Sequence, residues 1–265
     1  MVGTEITPAR SHFPVNPIVV IPARMAATRL PGKPLAEIAG RPMIAHVIAR
    51  AQEAGIGPVA VAAGERAIAA AAEAAGARAV LTPADLPSGT DRVHAAMATL
   101  DPEGRHDVVV NLQGDLPTMP PESLRAVLLP LAEPEVAIGT LVTPIEDEDE
   151  ATRTAVVKAV CAFEEGAATA RCLYFTRAAA PWSDAPEPWR GMWHHIGVYA
   201  FRRPALNRFV RLTPALLERR EKLEQLRALA AGMAIGAARI PAAPFGVDTP
   251  ADLDRARGIL GASTR

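Results

Sequence analysis

The chain has 265 residues, 49% of them hydrophobic and 4% aromatic, with 28 basic and 29 acidic side chains giving a formal net charge of −1. That balance excludes a general attraction to nucleic acid or to an anionic membrane, and the apolar content is too high for a disordered chain. Cys161 and Cys172 are the two cysteines, too few for a disulfide framework or a Cys-based zinc site and compatible with a reducing compartment.

Residues 1–16 are polar and Pro-bearing and read as a loose tail without an apolar stretch of signal-peptide length. No later segment reaches about 18 uninterrupted apolar residues, so a cytoplasmic protein without a membrane partner is expected. Strands are predicted at 15–22, 58–62, 77–81 and 108–112, alternating with helices at 42–54, 65–75 and 91–100 that are bounded by Gly, Pro or Asp. The alternation predicts an α/β fold, a mostly parallel nucleotide-binding sheet with helices on both faces. Such sheets bind ligands beyond the carboxyl ends of their strands, which directs attention to the residues after Ile21 and Leu112. Beyond Val142 the pattern changes to strand-like runs at 154–163, 171–175 and 194–201, a smaller antiparallel excursion spanning about 143–202. A helix at 216–231, a strand at 233–240 and a helix at 250–260 then return to the first layer, so 17–262 is expected to form one domain.

The loop after the first strand, in IVVIPARMAATRLPGKPL, carries Arg24, Arg29 and Lys33 with no acid before Glu37. One arginine there would be an ordinary solvated charge, but three cations beside Gly32 suit a triphosphate, which charge-assisted hydrogen bonds can wrap. Neither the Walker spacing nor the dinucleotide GxGxxG is present. Asp115, in VVVNLQGDLP, falls just past a strand's carboxyl end, where it is either a turn residue or a metal ligand. Asp248, in GVDTPADL, precedes a helix start that Thr249, Pro250 and Asp252 can build without it. Two such carboxylates together with phosphate oxygens suffice for Mg²⁺.

IPAR-x-A-x-TRLPGKPL, QGD and GVDTP resemble the 3-deoxy-manno-octulosonate cytidylyltransferases, over Ile18 to about Leu260. The resemblance implies transfer of CMP from CTP to the anomeric hydroxyl of 3-deoxy-manno-octulosonate for lipopolysaccharide biosynthesis, with Mg²⁺ and as a homodimer. It implies Arg24, Arg29 and Lys33 on the triphosphate, with Arg24, Lys33 and Asp115 catalytic, and Asp115 and Asp248 on the metal. Ser88 and Gly89 of SGTDR would lie beside the cytidine, although the same residues read equally as a helix cap and its turn. On the sugar side it implies Gln113, Arg177, His195, Tyr199, Glu221 and Gln225. In HHIGVY a period of two sends His195, Gly197 and Tyr199 to one face and Ile196, Val198 and Ala200 to the other. Arg177 is the expected partner of the sugar carboxylate, and 216–231 is read as one helix presenting Glu218, Glu221 and Gln225 together. Trp182, Trp189 and Trp193 share a Pro-rich stretch expected at the homodimer contact. Another acidic sugar, the 8-amino form or a sialate, is the alternative within the class, and a catalytically silent nucleotide-binding regulator the alternative outside it. Gly64, Leu86 and 153–155 depart from the family pattern.

Overall fold

A computed structural model describes residues 16–26 and 29–262. The predicted loose tail therefore lies, apart from Asn16, outside the described residues.

Strand β1 (Pro17–Ala23) leads through the basic loop and a 3-10 turn at Lys33–Leu35 to a small hairpin, β2 (Glu37–Ile38) and β3 (Arg41–Pro42). Helix α1 (Met43–Ala54), β4 (Val59–Ala63), α2 (Arg66–Ala74), β5 (Arg78–Leu81), α3 (Gly89–Leu100) and β6 (Val108–Asn111) complete the alternating first half. Then come α4 (Pro121–Ala126), β7 (Val136–Pro144), α5 (Glu148–Thr152), β8 (Lys158–Ala162), β9 (Thr169–Thr176) and β10 (Trp193–Arg202). The chain ends with α6 (Arg203–Phe209), α7 (Leu216–Glu221), α8 (Gln225–Ala230), β11 (Ala234–Arg239) and α9 (Pro250–Ala262).

One nine-stranded sheet in the order β5-β4-β1-β6-β10-β7-β11-β9-β8 organises the molecule. β5, β4, β1 and β6 are mutually parallel, as are β7 and β11. Alternate side chains of each central strand enter opposite layers. Val19 and Ile21 pack with Ile44, Val47 and Ile68 of α1 and α2, whereas Ile18 and Val20 pack with Val93 and Met97 of α3. The run Ile18–Ile21 is buried throughout, which is why it reads as a continuous apolar stretch.

The antiparallel strands expected at 143–202 belong to the one sheet: β8 and β9 close one edge, and β10 is inserted between β6 and β7. Two features differ from the sequence reading. β7 itself was absent from the predicted strands, its pattern interrupted by Gly139. A Cβ at that position would stand 2.3 Å from the Val127 carbonyl oxygen, so the close approach of the following layer demands glycine there.

The predicted helix at 216–231 is two helices, because Lys222 adopts φ 58° and stops α7. Arg177 explains the stop. Its Nε donates to the Glu221 carbonyl at 2.7 Å and its Nη2 to the Lys222 carbonyl at 3.4 Å, capturing acceptors that a continuous helix would use itself.

Candidate functional site

The carboxyl ends of β1 and β6 open into a cleft of about 380 Å³ lined by Arg24, Arg29, Lys33, Ser88, Gly89, Gln113, Asp115 and Asp248, with Arg92 behind them. Eight residues named from the sequence thus converge on one cavity. Gly32 turns the basic loop at φ 72°, a conformation that only glycine adopts without strain, and aims Lys33 inward. Met25 N–H donates to Glu65 Oε2 at 3.0 Å and fixes the other side of the loop.

Lys33 sits between the two acids. Its Nζ donates to Asp115 Oδ2 at 2.8 Å, to Asp248 Oδ1 at 3.1 Å and to the Val247 carbonyl at 3.1 Å. Burial opposes the ammonium charge, but the charges and hydrogen bonds of both aspartates outweigh it and hold the Lys33 pKa above its ordinary value. Arg29 reaches Asp248 Oδ2 at 3.1 Å from a more exposed position. Helix α9 is capped as expected: Thr249 and Asp252 exchange side chain to backbone hydrogen bonds, which leaves Asp248 free for the cleft.

The pair of carboxylates fits a divalent cation. Its oxygen donors already share one positive charge, seated between them, and hard oxygen ligands are those Mg²⁺ prefers. Among the described residues no group of three or more His, Cys, Asp or Glu side chains forms a self-sufficient metal site. A cation here would complete its shell with water and phosphate oxygens.

Ser88 caps α3, accepting from Asp91 N–H at 3.2 Å and donating to Asp91 Oδ2 at 2.8 Å. It still lines the cleft, so capping the helix does not withdraw it from the cavity. A Cβ on Gly89 would lie 3.3 Å from Pro22 and 3.5 Å from Gln113 Oε1, so a larger residue would crowd the cleft wall.

Two side chains tied to the cleft escaped the sequence reading. Arg92, 2% exposed, donates to Thr82 Oγ1 at 2.5 Å and to the Pro83 and Ala84 carbonyls at 3.0 and 3.2 Å, fixing the loop after β5. Gly64 makes room for it, since a Cβ there would stand 3.2 Å from Arg92 Nη1 and from Arg24 Cβ. Glu224 is the second. A relay runs from Gln113 Nε2 at the cleft to Asn111 Oδ1 (3.1 Å), from Asn111 Nδ2 to Thr90 Oγ1 (3.1 Å) and from Thr90 Oγ1 to Glu224 Oε1 (2.5 Å). Burial raises the Glu224 pKa despite the hydrogen bond from Thr90. The acid could not be picked from helical spacing because the helix breaks two residues before it.

Of the sugar-side residues, Gln113 lines the cleft and the other five do not. Tyr199 pairs with Asn111 across β10 and β6, and burial pushes its phenol pKa up. His195, Phe175 and Tyr199 pack ring to ring, and Ile196, Val198 and Ala200 enter the opposite layer, as the alternation predicts. Gln225 is buried with Nε2 unpartnered. Arg177 and Glu221, expected on the sugar side, bond within the chain. Glu221 accepts from Thr176 Oγ1 at 2.8 Å and Arg177 N–H at 2.9 Å, while the Arg177 guanidinium is taken up by three backbone carbonyls. Glu218 turns away as well, to Arg227.

The cytidylyltransferase family model matches residues 18–235. A 3-deoxy-manno-octulosonate cytidylyltransferase of Rhodospirillum centenum is 60% identical over 251 residues, 95% of this chain and 96% of the relative. The chain belongs to the 3-deoxy-manno-octulosonate cytidylyltransferase family. A family member from Methylobacterium radiotolerans is also 60% identical, over 92% of this chain and 97% of its own. A solved structure of CMP:2-keto-3-deoxy-manno-octonic acid synthetase complexed with CTP superposes with a TM-score of 0.85 at 36% identity, covering 94% of this chain and 100% of that one. UDP-glucose pyrophosphorylase, at 12% identity and a TM-score of 0.67, shares the fold. No helix among the described residues is long and apolar enough to cross a membrane.

Proposed function

We propose that this member of the 3-deoxy-manno-octulosonate cytidylyltransferase family transfers CMP from CTP to the anomeric hydroxyl of 3-deoxy-manno-octulosonate, releasing pyrophosphate, in the cytoplasm and in the service of lipopolysaccharide synthesis. The observation that carries the reading is the Lys33 ammonium held between Asp115 and Asp248, acids from opposite halves of the sequence, inside a cleft rimmed by Arg24 and Arg29.

Arg24, Arg29 and Lys33 grip the triphosphate and stabilise the charge that collects on the departing pyrophosphate. Ser88 and Gly89 let the nucleoside approach the backbone, with Arg92 fixing the adjoining loop. The sugar hydroxyl attacks the α-phosphorus in line, the bond to the β-phosphate bridging oxygen breaks, and the hydroxyl proton passes to solvent. Asp115 and Asp248 hold Mg²⁺, which when bound supplies Lewis-acid polarisation of the phosphate and lowers the pKa of the attacking hydroxyl. Lys33, released from the aspartates, turns its charge to the phosphates. Gln113, which lines the cleft, orients the sugar, and Glu224 positions it through Thr90 and Asn111.

The test is pyrophosphate release from CTP and Mg²⁺ with a panel of acidic sugars. Release should depend on 3-deoxy-manno-octulosonate, and Asp115→Asn should lower it at least about a hundredfold with the circular dichroism spectrum unchanged. Near wild-type release by that variant would remove the assignment, and CTP binding without sugar-dependent release would favour a regulator.

A further inference from the structure

Cys161 of β8 and Cys172 of β9 stand directly opposite each other in the antiparallel ladder, with Sγ···Sγ 3.7 Å. Directly opposed residues have Cα atoms about 4.5–5.5 Å apart, inside the window of about 4.4–6.8 Å that a disulfide spans. The pairing register shifts between Val160 and Cys161, so the ladder is already irregular where the two sulfurs would draw together. β8 is the outermost strand of the sheet, held by β9 along its length and by β10 at Trp193 and His194.

The two thiols differ in access. Cys161 is half-buried, whereas Cys172 is 1% exposed in the apolar layer that contains Phe175 and Tyr199. The hydrogen bond with Cys161 and then burial raise the Cys172 thiol pKa well above its ordinary value. The chain has no third cysteine to compete for either partner.

We propose that Cys161 and Cys172 are a redox modification site that takes low-molecular-weight disulfides of the glutathione class and closes to a reversible cross-strand disulfide. Cys161, the accessible thiol, loses its proton and attacks one sulfur of the small disulfide. The small S–S bond breaks and one thiol departs with a proton, leaving a mixed disulfide on Cys161. Cys172 then loses its proton and attacks the Cys161 sulfur, expelling the second small thiol. The two cysteines are oxidised by one electron each, and the small disulfide is reduced to two thiols.

The experiment treats the full-length chain with glutathione disulfide in excess over glutathione, quenches in acid, and alkylates under denaturing conditions. Wild type should lose both alkylatable thiols together, with an intact mass lower by two hydrogens, a cross-linked peptide joining the two cysteines, and full reversal by a dithiol reductant. Cys172→Ser should stop at a stable glutathione adduct on Cys161, and Cys161→Ser should react more than about tenfold slower because Cys172 is shielded. Two free thiols in wild type, a persistent wild-type glutathione adduct, or cross-links formed only between chains would each overturn the proposal. The wild-type arm decides the matter even where a variant fails to fold.

Discussion

His195 packs edge-on against Phe175 with ring centroids 4.8 Å apart, and its protonation state follows from its neighbours. Thr140 donates its hydroxyl hydrogen to the Val198 carbonyl at 2.8 Å, so it accepts from His195 Nε2 at 3.0 Å and fixes the neutral Nε2–H tautomer. Burial, with a smaller repulsion from His194, lowers the His195 pKa from 6.5 to about 3. The unfolded chain then takes up a proton at higher pH than the folded one. Stability is complete above the unfolded value and declines as pH falls toward the folded one, at up to about 1.4 kcal/mol per pH unit. Urea unfolding should show wild type losing about 1 kcal/mol more than His195→Gln between about pH 6 and about pH 5. Parallel curves would mean that the ring is hydrated. Glu224 gives a second test at this scale. Its removal as Glu224→Gln should raise KM for the sugar about tenfold or more while KM for CTP holds, and equal changes in both would deny it a sugar-side role.

The turn between α7 and α8 depends on Arg177, whose guanidinium spans carbonyls of residues 154, 221 and 222. Arg177→Met would leave acceptors at the end of α7 without donors, an expected loss of about 1–2 kcal/mol in denaturant unfolding. KM for the sugar should rise with it, since the turn carries Glu224 and Gln225. A variant as stable as wild type would show that water replaces the guanidinium without cost. The same turn marks the limit of what local pattern reveals. The motifs after β1 and β6 were legible because a cation-rich or acid-bearing loop at a strand's carboxyl end has few structural uses. Glu224 was not, because the residue that ends α7 is a lysine with positive φ, held by an arginine 45 positions earlier.

At the scale of the whole molecule, β10 was legible as a strand but not as a central one: its alternation tells which face each residue takes and says nothing of its neighbours, β6 and β7. Trp182 is 84% exposed, Leu216 73% and Leu173 60%, large apolar side chains that solvent does not favour. We propose that Trp182 is buried in a homodimer. Light scattering should give twice the chain mass of 27.9 kDa. Trp182→Ser should weaken association by about thirtyfold, the scale of an aromatic hot spot. A wild-type monomer at micromolar concentration would refute it. The Lys33 contact with Asp248 joins positions 215 residues apart. During synthesis the amino-terminal strands can pair early, yet the ammonium between the carboxylates waits for Asp248, which is made after every strand of the sheet. A nascent chain released before that point would present a cationic loop with its second acid missing, so premature termination should yield a product that binds anions without turning them over.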